Sequence, residues 1–127
     1  MEKIKNREGF TLLEVIFAVS ILTVGILSVA AMQVSSIRGN AFAWGTSEAS
    51  SVAMGQIEAM MEWPYDDARL EEGETHDGGT TGNYEISWTV ADNAVINQTK
   101  TVNVTVSWTD HGIQRSLTIP IVLGQVV

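Results

Sequence analysis

One apolar run constrains this chain more than any other feature. Phe10 to Met32 reads FTLLEVIFAVSILTVGILSVAAM, and Glu14 is its only charged residue. The hydrocarbon core of a bilayer needs about 20 consecutive, mostly apolar residues, so the run has the length of a membrane span. Its other polar members are Thr11, Ser20, Thr23 and Ser28. Hydroxyls of this kind are tolerated there because they bond back to the helix backbone. A run spent on a membrane cannot also build a globular core. The rest of the 127 residues therefore supports one small domain.

A short segment precedes the run. Met1 to Gly9 holds Lys3, Lys5 and Arg7 against Glu2 and Glu8. Its basic balance predicts a cytoplasmic N-terminus by the positive-inside rule. The whole chain has a formal net charge of -8 and a sequence pI near 4.5. Without this segment it becomes one unit more acidic. Phosphate backbones are bound by basic stripes, so no nucleic acid is expected as a partner. The chain has no cysteine, which excludes a disulfide framework, a thiolate metal site and a cysteine nucleophile. His76 and His111 have no metal-ligand spacing, and no serine nucleophile motif is present. The reading is therefore of a non-enzyme, with no catalytic residue, metal or cofactor.

Glu14 is the most informative single residue. A carboxylate at the centre of a bilayer costs roughly 2.5–3.5 kcal/mol on insertion scales, so it usually has a partner. Near the start of a helix it can instead stay hydrated and favour the helix dipole. A secretory signal peptide is a rival for the whole segment, with Ser28-Val29-Ala30-Ala31 as a weak cleavage site. Against that rival stand the length of the run and the carboxylate close to its start.

Lys5-Asn6-Arg7-Glu8-Gly9 followed by Phe10-Thr11-Leu12-Leu13-Glu14 resembles the prepilin cleavage motif of type IV pilins and secretion-system pseudopilins. The resemblance implies that a prepilin peptidase cuts between Gly9 and Phe10 and that the new Phe10 amine is methylated. It implies further that Glu14 pairs with the Phe10 amine of a neighbouring subunit, a partner that exists only in the assembly. A buried charge is costly alone and tolerable when paired. The expected setting is the bacterial inner membrane, crossed once, with the C-terminal domain in the periplasm until it enters a pilus or pseudopilus. The expected partners are the peptidase and methyltransferase, the inner membrane, and other pilins or pseudopilins through the N-terminal helix.

Beyond the leader (1–9) and the membrane and filament helix (10–32), an amphipathic helix is expected over 33–63. Ile37, Ala41, Trp44, Val52, Ala53, Ile57, Met60 and Met61 form its apolar stripe. Pro64 should stop it after Trp63. Gly39-Asn40 is the expected break between a membrane half and a globular half. Residues 64–82 read as an acidic, glycine-containing loop, with His76 in a turn.

Residues 83–127 read as an antiparallel sheet. Tyr84 to Val90, Val102 to Trp108 and Ile113 to Ile121 alternate apolar and polar residues with period two. Asp110-His111-Gly112 fits a tight hairpin, and Pro120 points to an edge strand. Only the amphipathic helix is available to cover the apolar face. The expected fold class is α+β, a pilin fold with a long helix on a three- to four-stranded antiparallel sheet. The tail, with VNVTVSWTD and a last apolar strand, looks most like the PilV class of minor pilins, the type IV pilus modification proteins. The functional expectation is a minor type IV pilin that helps initiate or cap assembly. The alternatives are a minor pseudopilin of a type II secretion system and a single-pass membrane-anchored binding domain with no filament role.

Overall fold

The computed structural model describes residues 9–92 and 96–125. The leader up to Glu8 and part of the loop after Asp92 lie outside the described residues. One long helix, α1 (Leu12–Met61), is followed by a short 3-10 turn at Ala68–Leu70 and four strands. These are β1 (Thr75–Thr81), β2 (Tyr84–Asp92), β3 (Thr99–Asp110) and β4 (Ile113–Gly124). By contact density the chain divides into two units, Met1–Asn40 and Ala41–Val127.

In the first unit the described residues are all exposed. Ser20, Thr23 and Ser28 donate their hydroxyls to the carbonyls of Ile16, Val19 and Val24 at 2.7, 2.7 and 2.8 Å. Each hydroxyl is thereby satisfied within the helix, as an apolar surrounding demands. No helix break occurs at Gly39-Asn40: α1 runs through it, although the division between units falls there. Glycine weakens a helix without forbidding it.

The second unit is a helix on a meander, the pilin-like α+β architecture. Its sheet has the order β1-β2-β3-β4, with every neighbouring pair antiparallel. Ile86, Trp88 and Val90 of β2 and Val102, Val104, Val106 and Trp108 of β3 are buried. They pack against Ala49, Ala53, Ile57 and Met60 of α1. The seam differs from the expected stripe. Val52 is partly buried, but Ile37, Ala41, Trp44 and Met61 are exposed. The sheet seats on the small side chains Ala49 and Ala53, which let the backbones approach, and the larger residues fall off that line.

α1 ends at Met61, two residues before the expected stop at Trp63. The N–H groups of Glu62 and Trp63 close tight turns onto Ala59 and Met60. A residue preceding proline is disfavoured in the helical region, so Pro64 acts one position upstream of itself.

The expected loop over 64–82 is the largest correction. It contains the 3-10 turn and all of β1, and His76 lies in that strand and not in a turn. THDGGTT has no apolar alternation, because β1 is an exposed edge strand that buries almost nothing. Its fit depends on Gly78, where a β-carbon would lie 2.8 Å from the Trp88 ring and 3.0 Å from Ile86. The register shifts between Asp77 and Gly79, a bulge beside this close approach.

The β3–β4 hairpin turns at His111 and Gly112, with φ of 49° and 80°. Two consecutive positive φ values mark a type I′ turn, which matches the twist of the flanking strands. Asp110 and Ile113 are then its closing hydrogen-bonded pair. Counting onward by alternation, Pro120, opposite Asn103, has its nitrogen on the outer edge of the sheet. The missing N–H costs β3 no bond there.

Lys100 is the buried residue that the pattern misses. It follows the inward register of Val102, Val104 and Val106 and is 7% exposed. Its ammonium donates to the carbonyls of Tyr65 and Leu70, both at 2.9 Å, and sits 4.7 Å from the centre of the Tyr65 ring. It thereby pins the segment between α1 and β1 to the sheet.

Candidate functional site

Thr11 and Glu14 build the start of α1 between them. The Glu14 N–H donates to Thr11 Oγ1 at 3.2 Å, and the Thr11 N–H donates to Glu14 Oε2 at 2.9 Å. The Thr11 hydroxyl also reaches Oε2, at 3.3 Å. With Leu12 as the first helical residue, this is a reciprocal capping box of the Thr-x-x-Glu type. It satisfies N–H groups that a helix start leaves open, and it places a negative charge in the first turn, where the dipole favours one.

Glu14 therefore has a partner inside its own chain. Both bonds use Oε2; Oε1 makes no hydrogen bond among the described residues. The sequence signal for the cap is the Thr-x-x-Glu spacing, which a reading centred on the charge of Glu14 passes over.

Gly9 and Phe10 lie ahead of the cap, outside the helix. Phe10 is 89% exposed, and a β-carbon at Gly9 would meet no atom within 4 Å. No contact among the described residues demands glycine at this position. Removing everything up to Gly9 leaves the capping box whole, because both of its members follow the Gly9–Phe10 bond.

The helix that follows is long and apolar enough to cross a membrane, and none of its most apolar window is buried. Phe10, Leu12, Leu13, Ile21, Leu22 and Leu27 are each at least 60% exposed. A water-soluble fold would leave such a surface unprotected.

The second unit carries no comparable chemistry. Among the described residues no group of three His, Cys, Asp or Glu side chains is placed to hold a metal ion. Asp67 accepts from the Arg69 guanidinium through both oxygens at 2.8 Å and caps the 3-10 turn through the Arg69 N–H. The side-chain bonds first, then the backbone bond, hold its carboxyl well below the usual carboxylate range. Arg69 in turn lies over the Trp63 ring, 3.7 Å from its centre. His76 is spent on structure: it stacks on Trp88 at 5.8 Å and meets the Glu71 carbonyl at 3.0 Å. His111 bonds Asp110 at the hairpin.

The described residues thus give a capped, exposed apolar helix long enough to cross a membrane, and a helix-on-meander unit of pilin-like α+β architecture. Residues 4–30 match the family model of the prokaryotic N-terminal methylation motif. That motif implies processing by a prepilin peptidase and assembly with other pilins. The match covers the N-terminal segment alone. Neither the curated proteins nor the solved structures gave a match to this chain.

Proposed function

We propose that this chain is a minor type IV pilin, a subunit that helps initiate or cap pilus assembly after its leader is removed. The observation that carries the reading is the methylation-motif match at 4–30, which overlaps a membrane-length helix whose most apolar window is unburied among the described residues. In this reading residues 10–32 hold the subunit in the inner membrane and later in the filament core. The unit that begins near Ala41 stands in the periplasm. The prepilin peptidase cuts between Gly9 and Phe10, the Phe10 amine is methylated, and Glu14 meets the amine of a neighbour. The choice of the minor role over that of a major subunit rests on the resemblance of the tail sequence VNVTVSWTD to the PilV class.

The capping box refines how Glu14 acts. Its carboxylate is held at the helix start by Thr11, so it meets an incoming amine already oriented. Glu14→Gln retains an acceptor for the cap but cannot neutralise an amine. Thr11→Ala retains the charge and loses the hydroxyl.

Mass spectrometry of the protein from cells with active peptidase tests the reading. The expected product begins at Phe10 and carries one methyl group. An intact Met1 end would remove the basis for a pilin. Co-purification with sheared pili then separates the roles of Thr11 and Glu14. Glu14→Gln should be lost from the filament fraction while its leader is still cut, and Thr11→Ala should be retained. Wild-type recovery of Glu14→Gln would reduce Glu14 to a helix-capping residue.

A further inference from the structure

We infer that the crevice between α1 and the β1–β2 turn binds an organic cation that carries N–H donors, a guanidinium or an ammonium group. The site lies wholly within the second unit and is independent of the filament role proposed above.

The crevice has a volume of about 480 Å³ and is lined by Glu48, Ser51 and Val52 of α1 and by Thr81, Gly82, Asn83 and Tyr84. Sites for small ligands commonly measure about 300–1,000 Å³. Both walls are fixed by the fold. Glu48, Ser51 and Val52 are three and four residues apart, so they share one helix face. Opposite them, Thr81 pairs with Tyr84 across the two-residue turn Gly82-Asn83. Gly82 has a φ of 61°, the positive value that a type II′ turn places at its first central position. The Tyr84 ring packs on Trp108, 5.8 Å away and tilted by 50°.

Glu48 is the charged member of the lining. Its Oε2 accepts from the Tyr84 hydroxyl at 2.7 Å, and its Oε1 accepts no hydrogen bond among the described residues. The bond to Glu48, with desolvation, pushes the phenol up to about 12. The hydroxyl is therefore a donor at neutral pH, and it orients the carboxylate.

This oriented carboxylate forms no ion pair among the described residues. Residues 41–127 hold twelve carboxylates against three cations. Arg69 is paired with Asp67, and Lys100 is spent on two carbonyls. Arg115 lies over the Phe42 ring, with Trp108 between it and Tyr84. That places it two strands from Tyr84, about 10 Å at the usual strand spacing. The nearby carboxylates have the same sign as Glu48. Glu85 follows Tyr84 but points to the opposite face of the sheet. Asp77 accepts from the Gly79 N–H, and Asp110 meets His111. The surrounding charge thus attracts a cation and repels an anion.

The neutral lining selects a cation with N–H groups. The side chains of Ser51, Thr81 and Asn83 make no hydrogen bond among the described residues, and each offers an oxygen acceptor. Ammonium and guanidinium groups carry several donors and no acceptor, so Glu48 and these oxygens can share them. A neutral polyol would leave Glu48 without a counter-charge. A quaternary ammonium would bring no donor to the oxygens.

Backbone amide shifts of the full chain in zwitterionic micelles, followed by nuclear magnetic resonance, test the site. The cationic probes are N-acetylarginine amide, n-butylguanidinium and n-butylammonium, and N-acetylcitrulline amide is the neutral isostere. The cations should give saturable shifts at Ser51, Gly82, Asn83 and Tyr84, with millimolar dissociation constants. The citrulline probe should bind about tenfold more weakly, the loss of one charge-assisted hydrogen bond. Glu48→Gln keeps an acceptor for Tyr84 and should weaken the cations by a similar factor. Tyr84→Phe frees the carboxylate and should weaken them by a smaller one. Tighter binding of N-acetylarginine amide than of n-butylguanidinium would assign the cation to a side chain carried on a polypeptide. Equal or weaker binding would assign it to a free molecule, and either result upholds the cation site.

Citrulline binding as tight as arginine binding would overturn the assignment, and so would cation binding unchanged by Glu48→Gln. Shifts confined to residues 66–74 would show a general attraction to the acidic segment and overturn it as well. No saturable shift with any of the cations would remove the site.

Discussion

Two stretches of the same helix meet opposite fates. Between Leu12 and Val34 the large apolar side chains are all exposed, whereas between Ala49 and Met60 a thinner set of apolar groups is buried to 3% or less. The more hydrophobic stretch is thus the one that builds no core. Burial within a chain needs a second surface, and only the later stretch has a sheet to meet it. The earlier stretch is apolar on every side, so it requires an apolar solvent or neighbours all round. The later one has a seam of Ala49, Ala53, Ile57 and Met60, with Ser51 and Glu58 exposed away from it. Apolar content alone therefore does not locate a core; the width of the apolar face does.

The contrast is broken most severely by placing the same charge in the core that the later stretch packs against and in the earlier stretch itself. Val104→Asp puts an unpaired carboxylate at a site with no exposed surface. A loss of more than about 4 kcal/mol is expected, enough to abolish the cooperative thermal transition seen by circular dichroism. Val24→Asp should leave that transition unchanged. It should instead weaken membrane partition by roughly 3 kcal/mol, the insertion cost of a central carboxylate, read as a shift from membrane to soluble fractions.

A smaller effect is expected where the sheet holds down the segment after α1. Lys100→Met removes the donor shared by the Tyr65 and Leu70 carbonyls and leaves both short of a partner. The expected destabilisation is about 1–3 kcal/mol, measured as a lower urea midpoint with little change in slope. Gly78→Ala should cost a similar 1–3 kcal/mol through overpacking against Trp88. It should also lower hydrogen-exchange protection in β1 before the other strands.

At the head of the exposed stretch, Thr11→Ala should weaken the cap by about 1 kcal/mol. Faster amide exchange in the first turn, with the second unit's melting unchanged, is the expected readout.

The smallest effect concerns Tyr84, whose hydroxyl donates to Glu48 at 2.7 Å. This bond, together with desolvation, pushes the phenol up to about 12. A raised folded value means a contribution to stability that is complete below pH 10, the ordinary tyrosine value, and lost as pH rises through about 12. Ultraviolet titration should show a late tyrosine phase that disappears in Tyr84→Phe.

Much of the sheet was legible because three strands carry a strict period of two. Alternation reports burial on one face, and β2 and β3 bury theirs. β1 was illegible for the same reason. A strand that buries nothing has no apolar period, and its place is set by glycine at a close approach and by the pairing of Thr75 to Thr81 with β2. The helical stripe was partly legible: Val52, Ala53, Ile57 and Met60 fall at the seam, but Ile37 and Trp44 have the right spacing and are exposed. Lys100 was illegible because its partners are carbonyls of a distant segment, which leave no mark on side-chain pattern. At the candidate site, the positions of Gly9, Phe10 and Glu14 stood out by residue type. The capping bonds of Thr11 were written in the spacing but masked by the louder charge.

Pro120 has a consequence for how such a subunit fails safely. β4 is the long free edge of the sheet, and an unfilled edge invites a strand from any other chain into a continuous ladder. A strand laid along β4 would find its row of donors interrupted at Pro120, midway through the zipper. The opposite edge, β1, is bulged and glycine-bearing, and so offers a poor template as well. Both edges of the sheet are thus poor templates for amyloid-like growth. In the proposed pilin, self-association would then fall to the apolar helix and not to the sheet.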